Sequence, residues 1–272
     1  MPSYLVTGAS RGLGFEFIRQ LSADPKAIVI GLARDKMATE KKVSAEIGRS
    51  NIHILQGDLI DYESLKKAAE DTSTITGGSL DYLIANAAVL SPFAAYSGLS
   101  DLSDDPKALE EDLLFHYKTN VVGNIHLINI FLPLIHKGKA KKVIALTSGH
   151  ADFDLVRNFK IDMGASYALS KTALNLAIAK YHGELSSEGI LFMSISPGVV
   201  ATGLNDTTKL TEKEKRGFGE MVRKFSEYAP QWKGPITPEE SVRHILGVVN
   251  NASVERGDGG SFVSHYGNKQ WL

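Results

Sequence analysis

Short apolar runs recur along the chain at 4–9, 27–33, 52–58, 80–88, 142–148, 190–196 and 260–266. Most, such as "AIVIGLA" and "KVIALTS", are nearly continuous rather than alternating in polarity, the pattern of strands buried on both faces of a parallel sheet. Between them, apolar positions repeat at helical spacing over 13–22, 36–48, 62–72, 107–136, 165–187, 211–228 and 238–250. Strand alternating with helix predicts a doubly wound α/β fold, with a mostly parallel sheet of seven strands and helices on both faces. Crossovers are expected to be right-handed. No linker interrupts the pattern, so residues 1–272 read as one domain. The sizeable irregular stretch, 199–237, is rich in charge and aromatics, and residues 203–235 read as a lid over a substrate.

Composition narrows the chemistry. Hydrophobic residues make up 43% of the 272, enough for a sizeable core, and the formal net charge is −1. That balance offers neither nucleic acid nor an anionic membrane as a partner. The chain has no cysteine, which excludes disulfides, thiolate catalysis and cysteine-bound metals. The start, "MPSYLVTGAS", lacks a basic segment followed by a long apolar run, and no window approaches a membrane span. A soluble, cytoplasmic protein is the expectation. The tripeptides at Asn205 and Asn251 match the glycosylation pattern but read as chance without a secretory signal.

"VTGASRGLG" (6–14) follows the first predicted strand and opens the first helix. Gly8, Gly12 and Gly14 allow a tight turn and bring backbone N–H groups close to a phosphate, which the helix N-terminus also attracts. An acidic residue about 20 positions on would bind the ribose hydroxyls of NAD. Here that place holds Arg34, and Arg11 lies inside the turn. Two cations at one ribose corner suit the 2′-phosphate of NADP(H). Asp35, next door, becomes a competing ribose ligand if the strand ends one residue later.

Two tyrosines have a lysine one helical turn further on: Tyr62 with Lys66, and Tyr167 with Lys171. Each pair shares a helix face. The order of the surrounding motifs separates them. Tyr167 and Lys171 follow a strand that ends in Ser148 and precede "PGVVAT" (197–202), whereas Tyr62 and Lys66 follow "GDLID" with no serine partner. Of the histidines, His150 lies nearest this group in sequence. His116, His126 and His136 fall on a helical pattern and read as packing or surface groups. No metal site is expected.

Taken in order, "TGASRGLG" (7–14), "GDL" (57–59), "ANAA" (85–88), "NVVG" (120–123), "LTS" (146–148), "YALSK" (167–171) and "PGVVAT" (197–202) make the chain resemble the short-chain dehydrogenase/reductase family over nearly its full length. The closing "GSFVSHYGNKQW" resembles its branch of C-factor-like and sniffer-like carbonyl reductases. The resemblance implies a Rossmann fold and a catalytic group of Asn120, Ser148, Tyr167 and Lys171, with Asn120 holding a water that relays protons to Lys171. It implies a cofactor cradle of Gly8, Ser10, Arg11, Gly12, Leu13 and Gly14, with Arg34 beside it. Asp58 and the backbone at Leu59 would meet the adenine, and Asn86 the ribose. Pro197, Val200 and Thr202 would hold the nicotinamide carboxamide, and Tyr167 and Lys171 would touch the cofactor as well. The helices at 107–136 and 165–187 often form dimer or tetramer interfaces in the family, which implies a homodimer or homotetramer. Two departures stand out. Ala88 replaces the family's usual glycine, and the separation of Ser148 from Tyr167 is longer than its common spacing. Residues 150–163 are therefore expected to form an extra loop over the substrate.

Segments 90–96, 150–163 and 203–235 offer Phe93, Tyr96, Phe153, Phe159, Met163, Phe218, Phe225, Tyr228 and Trp232 to a pocket. An apolar or aromatic ketone, aldehyde or imine reduced with NADPH is the leading expectation, with Tyr167 as general acid/base. Rival expectations are an NADP(H)-binding regulator or scaffold without turnover, and a cyclase or isomerase on the same fold.

Overall fold

The computed structural model describes residues 1–203 and 210–272. Asn205 and the early part of the expected lid lie outside the described residues. Seven strands form one sheet: β1 (Ser3–Thr7), β2 (Ile28–Ala33), β3 (Ile52–Gln56), β4 (Tyr82–Ala85), β5 (Lys142–Leu146), β6 (Leu191–Ser196) and β7 (Phe262–Ser264). Their order is β3-β2-β1-β4-β5-β6-β7, and every pairing is parallel. This is a Rossmann-type α/β fold, its sheet order reversing between β1 and β4.

The apolar runs are continuous because the sheet has a core on each face. Leu5, Ile30, Leu83, Val143 and Phe192 align across five strands and belong to one cluster. Their neighbours Val6, Val29, Ile84, Ile144 and Met193 point the other way, into a second cluster. Successive residues of a strand face opposite sides, so both sets must be apolar. On the first face pack α3 (Tyr62–Thr76), α5 (Gly123–His136) and α7 (Ala165–Leu185), which contribute Leu65, Phe131 and Leu174. On the second pack α1 (Gly12–Leu21) and α9 (Pro238–Asn251), which contribute Phe17, Ile18 and Ile245. Each of these large apolar side chains contributes about 1.5–3 kcal/mol by leaving water.

Local chemistry sets the helix boundaries. Asp35, Asp61, Asp105, Asp152, Thr211 and Thr237 each accept a backbone N–H as N-caps of α2 (Lys36–Glu46), α3, α4 (Pro106–Tyr117), α6 (Phe153–Phe159), α8 (Glu212–Tyr228) and α9. Thr211 and Glu214 complete a capping box, satisfying two donors that the helix itself leaves open. Gly77, in the left-handed region, stops α3 after Thr76, past the boundary that its apolar pattern suggests.

Two expectations change. The pattern at 107–136 is not one regular helix: α4 and α5 are joined by a π turn, Lys118–Val122, that contains Asn120. Nor is the stretch 150–163 a plain loop. It holds a 3₁₀ turn (Gly149–Ala151) and α6, which Asp152 starts and Lys160, at φ 52°, ends. Its two turns are too short for their apolar spacing to stand out in the sequence.

Candidate active site

The glycine turn is built at backbone distance. Gly8 and Gly12 have φ of 71° and 55°, in the left-handed region that favours glycine. A Cβ at Gly14 would stand 2.1 Å from the Gly8 carbonyl oxygen and 2.7 Å from Asn86 Nδ2. Thr7 explains why β4 ends before Asn86: its hydroxyl accepts the N–H groups of Asn86 (3.0 Å) and Ala87 (2.9 Å), while its carbonyl accepts Asn86 Nδ2 at 2.8 Å. A Cβ at Gly12 would touch Thr202 Cγ2 at 3.4 Å, so the segment from Pro197 to Thr202 closes against the same turn. Ser241 donates to the Pro197 carbonyl (2.7 Å), and Val200 bridges to Ile236. The cradle is thus shaped to admit a phosphate where side chains would intrude, and the residues fit a dinucleotide.

Arg11, in the turn, and Arg34, just past β2, are both exposed, and neither forms an ion pair among the described residues. The Asp35 carboxylate is engaged as N-cap of α2, accepting Ala38 N–H at 2.9 Å. That bond takes up one oxygen of the carboxylate, Oδ1. Lys42, on α2, reaches back to the Ser10 carbonyl at 3.3 Å and lies 4.3 Å from the Phe15 ring centroid. It is a third cation beside the turn, and sequence reasoning passed over it because nothing in the turn's motif points to a residue this far along α2. The Asp58 carboxylate accepts the N–H of Ile60, and its own N–H donates to Ser64 Oγ, while Leu59 is buried against Gly123.

Ser148, Tyr167 and Lys171 meet where β5 ends and α7 begins. The Ser148 hydroxyl accepts the His150 N–H (3.2 Å), which leaves its own O–H free to donate. Lys171 is only 2% exposed; its ammonium donates to the Leu146 carbonyl at 2.7 Å and lies 5.6 Å from the Tyr167 ring centroid. Burial pushes the Tyr167 phenol up to about 12, against a smaller downward pull from the Ser148 hydroxyl. The same burial draws Lys171 down to about 7. Desolvation therefore dominates the phenol. The phenol holds its proton at neutral pH, as a donor must.

Asn120 is drawn into this group by the π turn. Its Oδ1 accepts Val89 N–H at 2.8 Å, and its Nδ2 donates to the Val89 carbonyl (3.1 Å) and to Ser170 Oγ (3.0 Å), which in turn donates to the Tyr167 carbonyl (2.7 Å). Both ends of the amide are engaged by protein, so Asn120 braces the 86–91 loop against α7. His116, which its helical spacing marks as a packing residue, is buried with its ring 6.4 Å from that of Tyr167. It accepts the Ser91 N–H at Nε2 (3.2 Å), and its Nδ1 is 2.8 Å from the Asp112 carbonyl. The other pair is elsewhere: Tyr62 is exposed and stacks edge-on with His126, and Lys66 pairs with Glu63.

The expected pocket aromatics divide. Tyr96 meets Phe218 edge-on, Phe225 meets Trp232, and Phe159 meets Tyr228. With Met163, Leu155, Ile161 and Trp271 most of them form a satellite core under α8. Phe153 is 79% exposed and takes no part, and Phe93 is largely exposed. Lys224 on α8, itself buried, holds Asp162 at 2.7 Å and ties α8 to the segment after α6. Trp271 packs behind Gly149, where a Cβ would stand 2.8 Å from the tryptophan Cβ. Among the described residues there is no cluster of metal-ligating side chains, and no helix is long and apolar enough to cross a membrane.

The sequence matches the short chain dehydrogenase family model over residues 3–213. It is 54% identical over 273 residues to the short chain dehydrogenase virK of Hypocrea virens, with all of both chains covered. Among solved structures, the fold is similar to the carbonyl reductase Sniffer of Drosophila melanogaster (TM-score 0.77, 23% identity, 98% of each chain). It is also similar to an NADPH-bound carbonyl reductase from chicken fatty liver (TM-score 0.74, 25% identity, 98% of each chain). The chain belongs to the short-chain dehydrogenase family, a family of oxidoreductases.

Proposed function

We propose that the chain is an NADP(H)-dependent reductase of a ketone or aldehyde, or of an imine, with an apolar or aromatic body. It works as one nucleotide-binding domain that carries its own lid. The observation that carries this reading is the grouping of half-buried Ser148 and Tyr167 with buried Lys171 at the carboxyl end of β5, next to the glycine cradle. NADPH, when bound, supplies the hydride. Carbonyl reduction leaves negative charge on the substrate oxygen, which needs a donor and then a proton. The Ser148 O–H, beside the Tyr167 phenol, donates to that oxygen as charge develops. The Tyr167 phenol, protonated at neutral pH, transfers its proton. Lys171, drawn down to about 7 by its burial, holds its proton more firmly as negative charge forms on the phenol beside it, and its ammonium stabilises the phenolate that remains. Asn120 and Ser170 hold Tyr167 by its backbone carbonyl, a positioning role.

The preference for NADP(H) rests on exposed Arg11 and Arg34 and on the engagement of Asp35 in the α2 cap. The NADPH in the chicken reductase structure supports the same choice. Leu114, Tyr117, Leu169 and Leu176 stand exposed on α4 and α7, the helices that the family resemblance makes an interface, and a second copy of the chain is the occupant we assign to them.

Tyr167→Phe should lower turnover at least about a hundredfold while leaving NADPH affinity nearly intact. NADPH oxidation against a diverse carbonyl panel, with fluorescence titration of the cofactor, checks both, and full activity in the variant would overturn the assignment. Arg34→Asp should weaken NADPH about tenfold or more, with much less effect on NADH. Equal losses for the two cofactors would show that Arg34 does not read the 2′-phosphate.

A further inference from the structure

His116, His265 and His150 differ in what their ring nitrogens do. His116 has both engaged, by Ser91 N–H and by the Asp112 carbonyl. His265 has neither engaged, but it is 1% exposed and walled in by Gly198, His244 and Tyr266, where no ligand can reach it. His150 is the exception. It is half-buried, and neither ring nitrogen has a protein hydrogen-bond partner among the described residues. Unlike those of His265, its nitrogens are not fully enclosed.

Its place is defined on several sides. Its backbone N–H is held by Ser148 Oγ, so it leaves the chain two residues beyond the proposed oxyanion donor. Its ring packs edge-on against Phe225 of α8, with centroids 5.7 Å apart. On another side is Gly164, where an added Cβ would lie 3.6 Å from His150 Nδ1 and 3.8 Å from the Ala95 carbonyl oxygen. The imidazole therefore sits between the reacting group, the lid and the 90–98 loop. Burial draws its pKa down to about 4, so it is neutral at physiological pH, with one donor and one acceptor nitrogen. A half-buried imidazole with open hydrogen-bonding capacity gains by pairing with a polar group of a ligand.

We infer that His150 is a specificity-determining residue that hydrogen-bonds a second oxygen of the substrate. The substrate class is then a carbonyl compound with an apolar or aromatic body and a hydroxyl or further carbonyl oxygen on the side facing α8. This rests on the reductase reading above and deepens it. A neutral imidazole suits a neutral oxygen; a carboxylate or phosphate would call for a cation, and the nearby Lys224 is already paired with Asp162. A site that offers a hydrogen bond discriminates against the analogue that lacks the partner, because the site's own polar group is then left open.

The test compares α-tetralone and acetophenone with the ring-hydroxylated isomers of each. In the wild type, at least one hydroxylated isomer should exceed its parent in kcat/KM by about tenfold, the worth of one good hydrogen bond. His150→Leu should cut that ratio to about two, and His150→Gln, which keeps a donor and an acceptor, should retain part of it. A ratio untouched by His150→Leu, with both ketones slowed in parallel, overturns the inference and leaves the reductase reading standing. Absence of any preference in the wild type overturns it too. Binding is measured separately on the complex with NADP⁺, which cannot deliver hydride. Trp232 and Trp271, the chain's two tryptophans, report on the lid by fluorescence. The same preference in binding, lost in His150→Leu, supports the site even if turnover of every ketone is nil, an outcome that would sink the reductase reading alone.

Discussion

The proposed cofactor side and the proposed substrate side of this molecule are held together by different parts of the chain. Around the glycine turn the contacts are backbone to backbone: Gly14 against the Gly8 carbonyl, and the Asn86 and Ala87 N–H groups on Thr7. Under α8 the contacts are between side chains, with Phe225, Trp232, Tyr228, Phe159 and Trp271 forming a core of their own. A backbone cradle tolerates almost no change of residue. A cluster of aromatics can repack around many shapes.

Three substitutions probe this contrast, from the largest effect to the smallest. Gly14→Ala places a methyl where the Gly8 carbonyl stands, and it should weaken NADPH at least about tenfold and destabilise the fold as well. Fluorescence titration and thermal unfolding measure the two, and near-normal cofactor binding would show that the cradle is less rigid than its contacts imply. Trp271→Ala empties the satellite core and should cost about 3 kcal/mol of stability. Its kinetic signature should be a raised KM for the carbonyl with NADPH affinity little changed; an equal effect on both ligands would erase the division between the two sides. Asp35→Ala removes the cap of α2 and should cost only about 1 kcal/mol. The ratio of NADPH to NADH affinity should stay within about twofold, and a marked swing toward either cofactor would mean that Asp35 reads the ribose after all.

The same contrast explains what the sequence made legible. The parallel sheet, its seven strands and the helices on both faces follow from continuous apolar runs, because two cores demand apolar residues on both faces of each strand. The glycine turn, Ser148, Tyr167 and Lys171 stand at positions that backbone geometry constrains, and motif order separated Tyr167 and Lys171 from Tyr62 and Lys66. Lys42 was not legible, since its link to Ser10 depends on how α2 lies across the turn. Helix α6 was hidden by its length. His116 looked like a packing residue because helical spacing cannot show that its ring lies beside Tyr167. Nor could sequence foresee that burial would push up the Tyr167 phenol, because desolvation depends on how neighbouring elements close over a group.

The π turn at Lys118–Val122 has a consequence for insertions and deletions. A π turn carries an extra residue relative to a regular α-helical turn. Loss of one residue there would let α4 run into α5 without interruption. Everything beyond would rotate by about 100° about the helix axis. Leu127, Ile128 and Phe131, now turned into the core, would swing off the sheet together, and Asn120 would lose its reach to Val89 and Ser170. The wide turn acts as an indexing peg: point substitutions on either side can be absorbed singly, but the length of this segment cannot change without unseating both the core and the brace.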